Sequence, residues 1–237
     1  MDRTRWIIFA LIVVGTLGGL IAFSKKDSVN VDDIDTAQII TATDTATGDH
    51  VYGNKDAKVI LFEYGDFQCP GCAGAYSQLK AIKQEYEQQI AFVFRNFPLT
   101  TIHPNALAAA TSAEAAAMQG KFWEMHDKLF ENQSSWQDAD TSARMAVFSG
   151  YANDIGVKGD QFTEDLSSPK VTQKISRDRA IGNKLGVTGT PSLFIGSEKV
   201  DDQTTSSVIG GDGDKLRDKI DEALKKAGVE SPRKKEQ

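Results

Sequence analysis

The sequence has few of the residues that build metal centres. Its 237 residues include two cysteines, Cys69 and Cys72, and three histidines, His50, His103 and His126. A structural zinc site usually takes four ligands, so two separate histidines would have to meet the cysteine pair. Nothing in their spacing favours this. We therefore predict no metal and no other cofactor.

An excess of positive charge is also missing. The net charge is −6 and the isoelectric point is near 5.2, so the chain has no overall attraction for a phosphate backbone. The short basic run at residues 233–235 is typical of a solvated chain end. We therefore expect no nucleic-acid partner. With 40% hydrophobic residues, the chain can still build a folded core.

One long stretch, Trp6–Phe23, has no charged residue. It runs for 18 residues, with two arginines before it and two lysines after it. This length is near the lower limit for a membrane-spanning helix and exceeds the apolar part of most signal peptides. The alternatives are a cleaved signal peptide and a soluble helix. We expect residues 1–24 to be a retained, single-span membrane anchor.

Bulky apolar residues are scarce in the segment that follows. Residues 25–49 are rich in Thr, Asp, Ser and Ala, a composition typical of a flexible linker. We also expect residues 229–237 to be a disordered tail.

The first folded segment has the pattern of a strand, a helix and a second strand. Val59–Tyr64 is a short apolar run, as expected for a buried strand, and Ile90–Phe97 is another. Between them, from Cys72 to Tyr86, the apolar positions keep helical spacing. Such a unit has parallel strands joined by a right-handed crossover.

Residues 101–182 are alanine-rich and have helical periodicity. We predict four helices in this segment: Pro104–Gln119, Lys121–Asn132, Thr141–Ile155 and Gln161–Gly182. Strands return at Leu193–Ile195 and near Ser207–Ile209, and a last helix covers Asp214–Ala227. The predicted fold class is α/β, with one domain formed by residues 50–100 and 183–228 and interrupted by a helical insertion.

The two cysteines lie in the sequence DFQCPGC. Cys69 precedes Pro70, which is favoured at the first helical position, so Cys69 is predicted at a helix N-terminus that stabilises a thiolate. Cys72 is one turn deeper on the same face. A bridge over three residues would constrain the unfolded chain very little. The spacing therefore favours dithiol–disulfide exchange over a structural bridge or a metal site.

Two further features of the sequence are candidates for a role beside the cysteine pair. Glu63 is an acid inside an apolar strand, where burial would raise its pKa and allow it to exchange a proton with Cys72; the alternative is a side chain facing water. Thr190 and Pro191 precede a later strand. Pro191 either marks a sheet edge or follows a cis peptide bond, which would leave nearby backbone free to bind an extended peptide.

Taken in order, these motifs resemble a known family, the DsbA-like thiol–disulfide oxidoreductases, over about residues 50–228. The resemblance rests on four segments: HVYGNKDAKVILFEYGDFQCPGC, FPLTTIHPNALAAATSAEAA, GKFWEMHDKLFENQ and LGVTGTPSLFIG. It implies a thioredoxin fold with an inserted helical domain. It also implies that Cys69 is the exposed nucleophile, Cys72 the buried resolving cysteine and partner in a redox disulfide, Pro191 a cis-proline and Glu63 a buried acid.

The sequence departs from the strongly oxidising members of the family at Gly71. Those members have a histidine after the proline, and an imidazole there helps to stabilise the thiolate. Pro70 and Gly71 are therefore expected to tune the site toward an intermediate reduction potential.

The aromatic segment FWEMHDKLF is interpreted as the core of the insertion, with His126 buried and satisfied.

The apolar N-terminal run places the protein at the cell membrane, and we expect its catalytic domain on the extracytoplasmic side. Thr190 and Pro191 are expected to bind the substrate beside the cysteines. We expect the protein to donate disulfides to cysteine-containing exported proteins, to be reoxidised by a membrane partner of the DsbB or VKOR type, and to be a monomer. The alternatives are a reductase or isomerase of exported thiols, and a binding or chaperone module without redox activity.

Overall fold

A computed structural model describes residues 31–41 and 48–233. The predicted membrane anchor at residues 1–24 lies outside this range. Within the described part, no helix has both the length and the apolar character needed to cross a bilayer.

Five strands form one mixed sheet. Their bounds are β1 His50–Gly53, β2 Val59–Gly65, β3 Ile90–Asn96, β4 Ser192–Ile195 and β5 Glu198–Lys199. The order across the sheet is β1-β3-β2-β4-β5. β2 and β3 are parallel, which confirms the predicted strand–helix–strand unit. The other neighbouring strands are antiparallel.

The central strand β2 is buried along its whole length. Because side chains alternate along a strand, Leu61 and Glu63 point to one face of the sheet and Tyr64 to the other. On the face of Leu61, the sheet packs against the helix that starts at the cysteines and against the C-terminal helix. The acid at Glu63 is therefore directed toward the helix that carries Cys72.

Eight α-helices are seen in the described part of the chain. They are α1 Pro70–Glu85, α2 Ala106–Ala117, α3 Phe122–Glu131, α4 Thr141–Asp154, α5 Gly159–Asp165, α6 Pro169–Lys184, α7 Asp202–Ile209 and α8 Asp214–Lys226. Helices α2 to α6 lie between β3 and β4 in the chain, as predicted for the insertion. The single helix predicted at Gln161–Gly182 is wrong, because two helices occupy this region. Pro169 has no amide hydrogen and holds Ser168 in an extended conformation, so the chain must begin a new helix there.

The strand predicted near Ser207–Ile209 is also wrong, because these residues end α7. The β-branched residues of the segment favour a strand, but the Asp201 side chain caps a helix by accepting from the Thr204 amide at 2.9 Å. The buried side of α7 then carries Thr204 and Val208, four residues apart. Capping and helical burial together outweigh the local strand preference.

Both predicted unstructured segments have described residues that bind the domain. Arg95 donates to the carbonyl oxygens of Thr36 and Gln38 at 3.0 and 3.1 Å. At the other end, Arg233 donates to Asp218 and Asp221 of α8 at 3.0 and 3.2 Å. The structure therefore differs from the linker and tail predictions at these residues, because charged groups of the domain supply partners for them.

Candidate active site

The cysteine pair lies where β2 passes into α1. Cys69 is the N-cap of α1 and has an extended backbone, and Pro70 occupies the first helical position as predicted. The Cys69 amide donates to the Asp66 carbonyl at 3.0 Å, which closes the turn between strand and helix. The geometry thus places the Cys69 sulfur over the free amides at the helix N-terminus.

The loop before β4 covers this sulfur. The peptide bond between Thr190 and Pro191 is cis, as the resemblance implied, and the Cys69 thiol lies 3.2 Å from the Thr190 carbonyl oxygen. Gly71 completes the contact, because a Cβ atom at this position would lie 3.3 Å from Pro191 Cδ and 3.6 Å from Cys69 Sγ. A side chain at position 71 would therefore touch both the proline and the nucleophile.

The two cysteines differ in exposure less than the resemblance implied. Cys69 is 8% exposed and Cys72 is fully buried, and both are free thiols in this structure. The expectation of an exposed nucleophile is therefore corrected, because the Thr190–Pro191 loop lies against the Cys69 sulfur.

The surroundings separate the pKa values of the two thiols. A hydrogen bond from Cys72 is the main cause that lowers the pKa of Cys69 to about 5; Thr190 and the backbone amides of Cys72 and Gly71 add to it, against the opposing effect of burial. Burial is the main cause that raises the pKa of Cys72 well above its usual value. Cys69 is therefore the thiolate at neutral pH, and Cys72 keeps its proton.

Glu63 points inward beneath this pair. It is 2% exposed, so the alternative of a side chain facing water is wrong. Burial is the main cause that raises the pKa of Glu63 to about 8; Lys83 opposes it, and the nearby Cys69 adds a smaller increase. Glu63 also raises the pKa of Cys72, which places the two groups within electrostatic reach of each other. A carboxyl with this pKa can hold or release a proton near neutral pH.

Sequence analysis missed a second charged group, Lys83, on the inner side of α1. It is 3% exposed, and burial lowers its pKa. Its ammonium lies 3.4 Å from Asp127 of α3 and over the rings of Tyr52 and Trp123. Helical spacing contained a hint, because Lys83 follows the buried Leu79 by four residues and therefore shares its face.

The loop before Cys69 is held by residues of the insertion, which the sequence did not reveal. Gln133 donates to the Cys69 carbonyl at 3.2 Å and to the Phe67 carbonyl at 2.8 Å. His103 lies 2.7 Å from the Asp66 carboxylate, which also accepts from the Leu99 amide. These contacts join the insertion to the active-site turn and fix its shape.

His126 differs from its prediction in one respect. Its ring is buried in the aromatic core of the insertion, as expected, and Nδ1 lies 2.9 Å from the Asp127 carboxylate. The other nitrogen, Nε2, has no hydrogen-bond partner among the described residues. The expectation of a satisfied histidine is therefore wrong for Nε2, because aromatic rings surround it.

Comparison with known proteins agrees with this arrangement. A family model described as Thioredoxin matches residues 45–210. The chain is 37% identical over 149 residues to the Na(+)/H(+) antiporter NhaA 1 of Mycolicibacterium vanbaalenii, an alignment that covers 62% of this chain and 23% of that protein. The chain thus spans about a quarter of the length of such curated relatives.

Two solved structures have the same fold. A thioredoxin-like oxidoreductase from Silicibacter pomeroyi matches with a TM-score of 0.60 at 26% identity, covering 75% of this chain and 92% of that one. The thiol-disulfide exchange protein α-DsbA2 from Wolbachia pipientis matches with a TM-score of 0.61 at 25% identity, covering 73% and 86%.

The chain therefore belongs to the thioredoxin family. Within that family, its inserted helices and its cysteine pair beside a cis-proline are those of the DsbA-like proteins. The chain is accordingly a DsbA-like member of the thioredoxin family.

Proposed function

We propose that this enzyme works as an oxidase, which donates the Cys69–Cys72 disulfide to exported proteins. The observation that carries the proposal is the difference in pKa between the two thiols, with Cys69 at about 5 and Cys72 well above its usual value. A stabilised thiolate favours the reduced enzyme, and a stable reduced form makes the disulfide a stronger oxidant.

Each cycle moves two electrons from the client to the enzyme. A client thiolate attacks Cys69 Sγ, the Cys69–Cys72 bond breaks, and Cys72 leaves as a thiolate that takes a proton from Glu63. A second client thiolate then attacks the client sulfur of the mixed disulfide and releases Cys69 as a thiolate. The client gains a disulfide, and the enzyme is left as a thiolate and a thiol.

The same proposal gives each remaining site residue a role. The backbone beside Thr190 and Pro191 binds an extended client segment next to Cys69, since the loop is already in contact with that sulfur. Pro70 and Gly71 set the stability of the thiolate through the start of α1. The clients are exported proteins with pairs of cysteines.

The proposed location is the outer side of the cell membrane, with a monomer held by an anchor at residues 1–24. The apolar run of residues 6–23 supports the anchor, and a lone cysteine pair is suited to an oxidising compartment. A membrane protein of the DsbB or VKOR type would restore the disulfide. The N-terminal sequence of the mature protein tests the anchor, because a start near Lys25 would mean cleavage.

The direction of electron flow is tested by the reduction potential, measured together with oxidation of a reduced, unfolded client. An oxidase should lie well above the roughly −270 mV of thioredoxin, toward the roughly −120 mV of a strong oxidant. Cys72→Ala should trap the client as a mixed disulfide on Cys69. A potential close to that of thioredoxin, without client oxidation, would favour the reductase. Client binding that survives replacement of both cysteines by serine would favour a chaperone.

A further inference from the structure

A small cavity lies between β2, α1 and α3, beneath the active site. Its polar lining comes from Glu63 of β2, from Tyr76, Lys80 and Lys83 of α1, and from His126 of α3. The centre of a water molecule could occupy about 10 Å³ of this cavity. This is close to the smallest volume that can hold a bound water.

Two residues that line the cavity have a polar group without a protein partner. His126 Nε2 has none among the described residues, and no hydrogen bond to the Glu63 carboxyl is found in the same part of the chain. Buried polar groups are almost always paired with protein or with ordered water. One water that bridges these two groups would satisfy both.

The environment of His126 determines which nitrogen can accept a hydrogen bond. Burial lowers the pKa of His126 to about 4, so the ring is neutral at pH 7. The centroids of Phe94, Trp123 and Phe130 lie 4.9, 5.0 and 5.0 Å from the centroid of its ring. Nδ1 faces the Asp127 carboxylate at 2.9 Å and must carry the hydrogen. Nε2 is therefore an acceptor fixed in position.

The charged groups around the ring support this protonation state. Asp127 lies 3.2 Å from the ammonium of Lys80 and 3.4 Å from that of Lys83, so it remains an ionised acceptor for Nδ1–H. Lys80 also bonds to Tyr76 and Glu131, and its side chain is 31% exposed. It thus marks the side of the cavity that is nearest to solvent.

We propose that His126 is a positioning residue, which holds through Nε2 the water that returns a proton to Glu63. The inference rests on the proposed proton exchange between Glu63 and Cys72. When Cys72 leaves as a thiolate, it takes the Glu63 proton. The bridging water then passes one proton to the Glu63 carboxylate and receives one from the solvent side at Lys80. When Cys72 attacks instead, the proton moves in the opposite direction.

The test uses the full chain with glutathione joined to Cys69 as a mixed disulfide, and follows its resolution by Cys72 across pH. His126→Phe keeps an aromatic ring but removes both nitrogens, and should slow resolution about tenfold at neutral pH and shift the midpoint of the pH profile. His126→Gln keeps a polar end and should remain within about threefold of the wild type. Phe130→Leu is the matched control, because it alters the same cavity without a titratable group.

Three outcomes would overturn the proposal. These are a wild-type rate and pH profile in His126→Phe, an equal change in Phe130→Leu, and a well-ordered crystal structure without a water between Glu63 and Nε2. The crystal structure decides the matter even if His126→Phe does not fold. Glu63→Gln distinguishes the proposed role of His126 from the proposed proton exchange between Glu63 and Cys72. If Glu63→Gln slows resolution while His126→Phe does not, only the role of His126 is contradicted. The proposed oxidase function does not depend on these rates, because the reduction potential sets the direction of electron flow.

Discussion

Two buried charged clusters lie on opposite faces of the same sheet. Under the cysteines, the carboxyl group of Glu63 in β2 has no hydrogen bond to the described residues. On the other face, Arg95 of β3 donates to Asp49 at 2.8 Å and to Tyr64 at 2.8 Å, as well as to two carbonyl oxygens. Tyr64 and Arg95 are direct neighbours in the β2–β3 register, so consecutive residues of β2, Glu63 and Tyr64, belong to the two environments.

The pKa values show what this difference does. Burial raises the pKa of Glu63 to about 8, because the opposing effect of Lys83 is too small to offset it. Burial acts on Asp49 in the same direction, but Arg95 and Lys174 outweigh it and hold the pKa of Asp49 below its usual value. A buried carboxylate that is paired with cations stays ionised and stabilises the fold. An unpaired one becomes a proton carrier near neutral pH.

Breaking the paired cluster should cost the most stability. Arg95→Met leaves the buried carboxylate of Asp49 without its main partner, and we expect a loss of about 3–5 kcal/mol in the free energy of unfolding. Urea unfolding measures it, and the pKa of Cys69 should not change. Lys55→Met removes an exposed cation paired with Asp56 and serves as the control, with an effect below about 1 kcal/mol. Equal effects of the two variants would contradict the structural role of the Arg95 cluster.

Neutralising the unpaired acid should mainly affect the reaction. Glu63→Gln keeps the side-chain shape but cannot carry the proton of Cys72, so resolution of a mixed disulfide should slow by about 10²-fold or more. Stopped-flow kinetics measure this rate. Stability at neutral pH should rise in Glu63→Gln, because the folded wild type holds a proton there that its unfolded chain releases. A large loss of stability with normal kinetics would make Glu63 structural instead.

The pH dependence of stability should separate the clusters further. The folded-state pKa of Glu63, about 8, lies above its ordinary value of 4.5, so the folded protein keeps a proton that the unfolded chain loses. The stabilisation is complete below about pH 4.5 and is lost as pH rises toward 8. Between about pH 5 and 7.5, the reduced protein should lose roughly 2–3 kcal/mol relative to reduced Glu63→Gln. A constant difference between the two proteins would mean a normal pKa.

The smallest expected effect is at Gly71. Its Cβ position lies 3.3 Å from Pro191 Cδ and 3.6 Å from Cys69 Sγ, so Gly71→His would bring an imidazole close to the thiolate. The reduction potential should rise by about 30 mV, equivalent to roughly 1.4 kcal/mol. Gly71→Ala controls for the added Cβ and should shift it less. An unchanged reduction potential in Gly71→His would mean that Gly71 is not the cause of an intermediate potential.

Short-range patterns predicted the parts of the site that lie close together in sequence. Local sequence patterns predicted the positions of three site residues: the acid in β2, Cys69 at a helix start and the proline before β4. Lys83 and His126 have no such pattern, because their environment depends on packing between α1 and α3, more than 40 residues apart in sequence. Local preference was misleading at α7, where Asp201 supplies a cap that outweighs the β-branched residues.

The most direct test of the account is the pKa of Cys69 in the reduced enzyme, followed by the ultraviolet absorbance of the thiolate. We expect half-titration at about 5 and a higher pKa in Cys72→Ala, which lacks the thiol that contributes most to the lowering. A wild-type value near the ordinary 9.0 would contradict the difference between the two thiols, and with it the proposed oxidase.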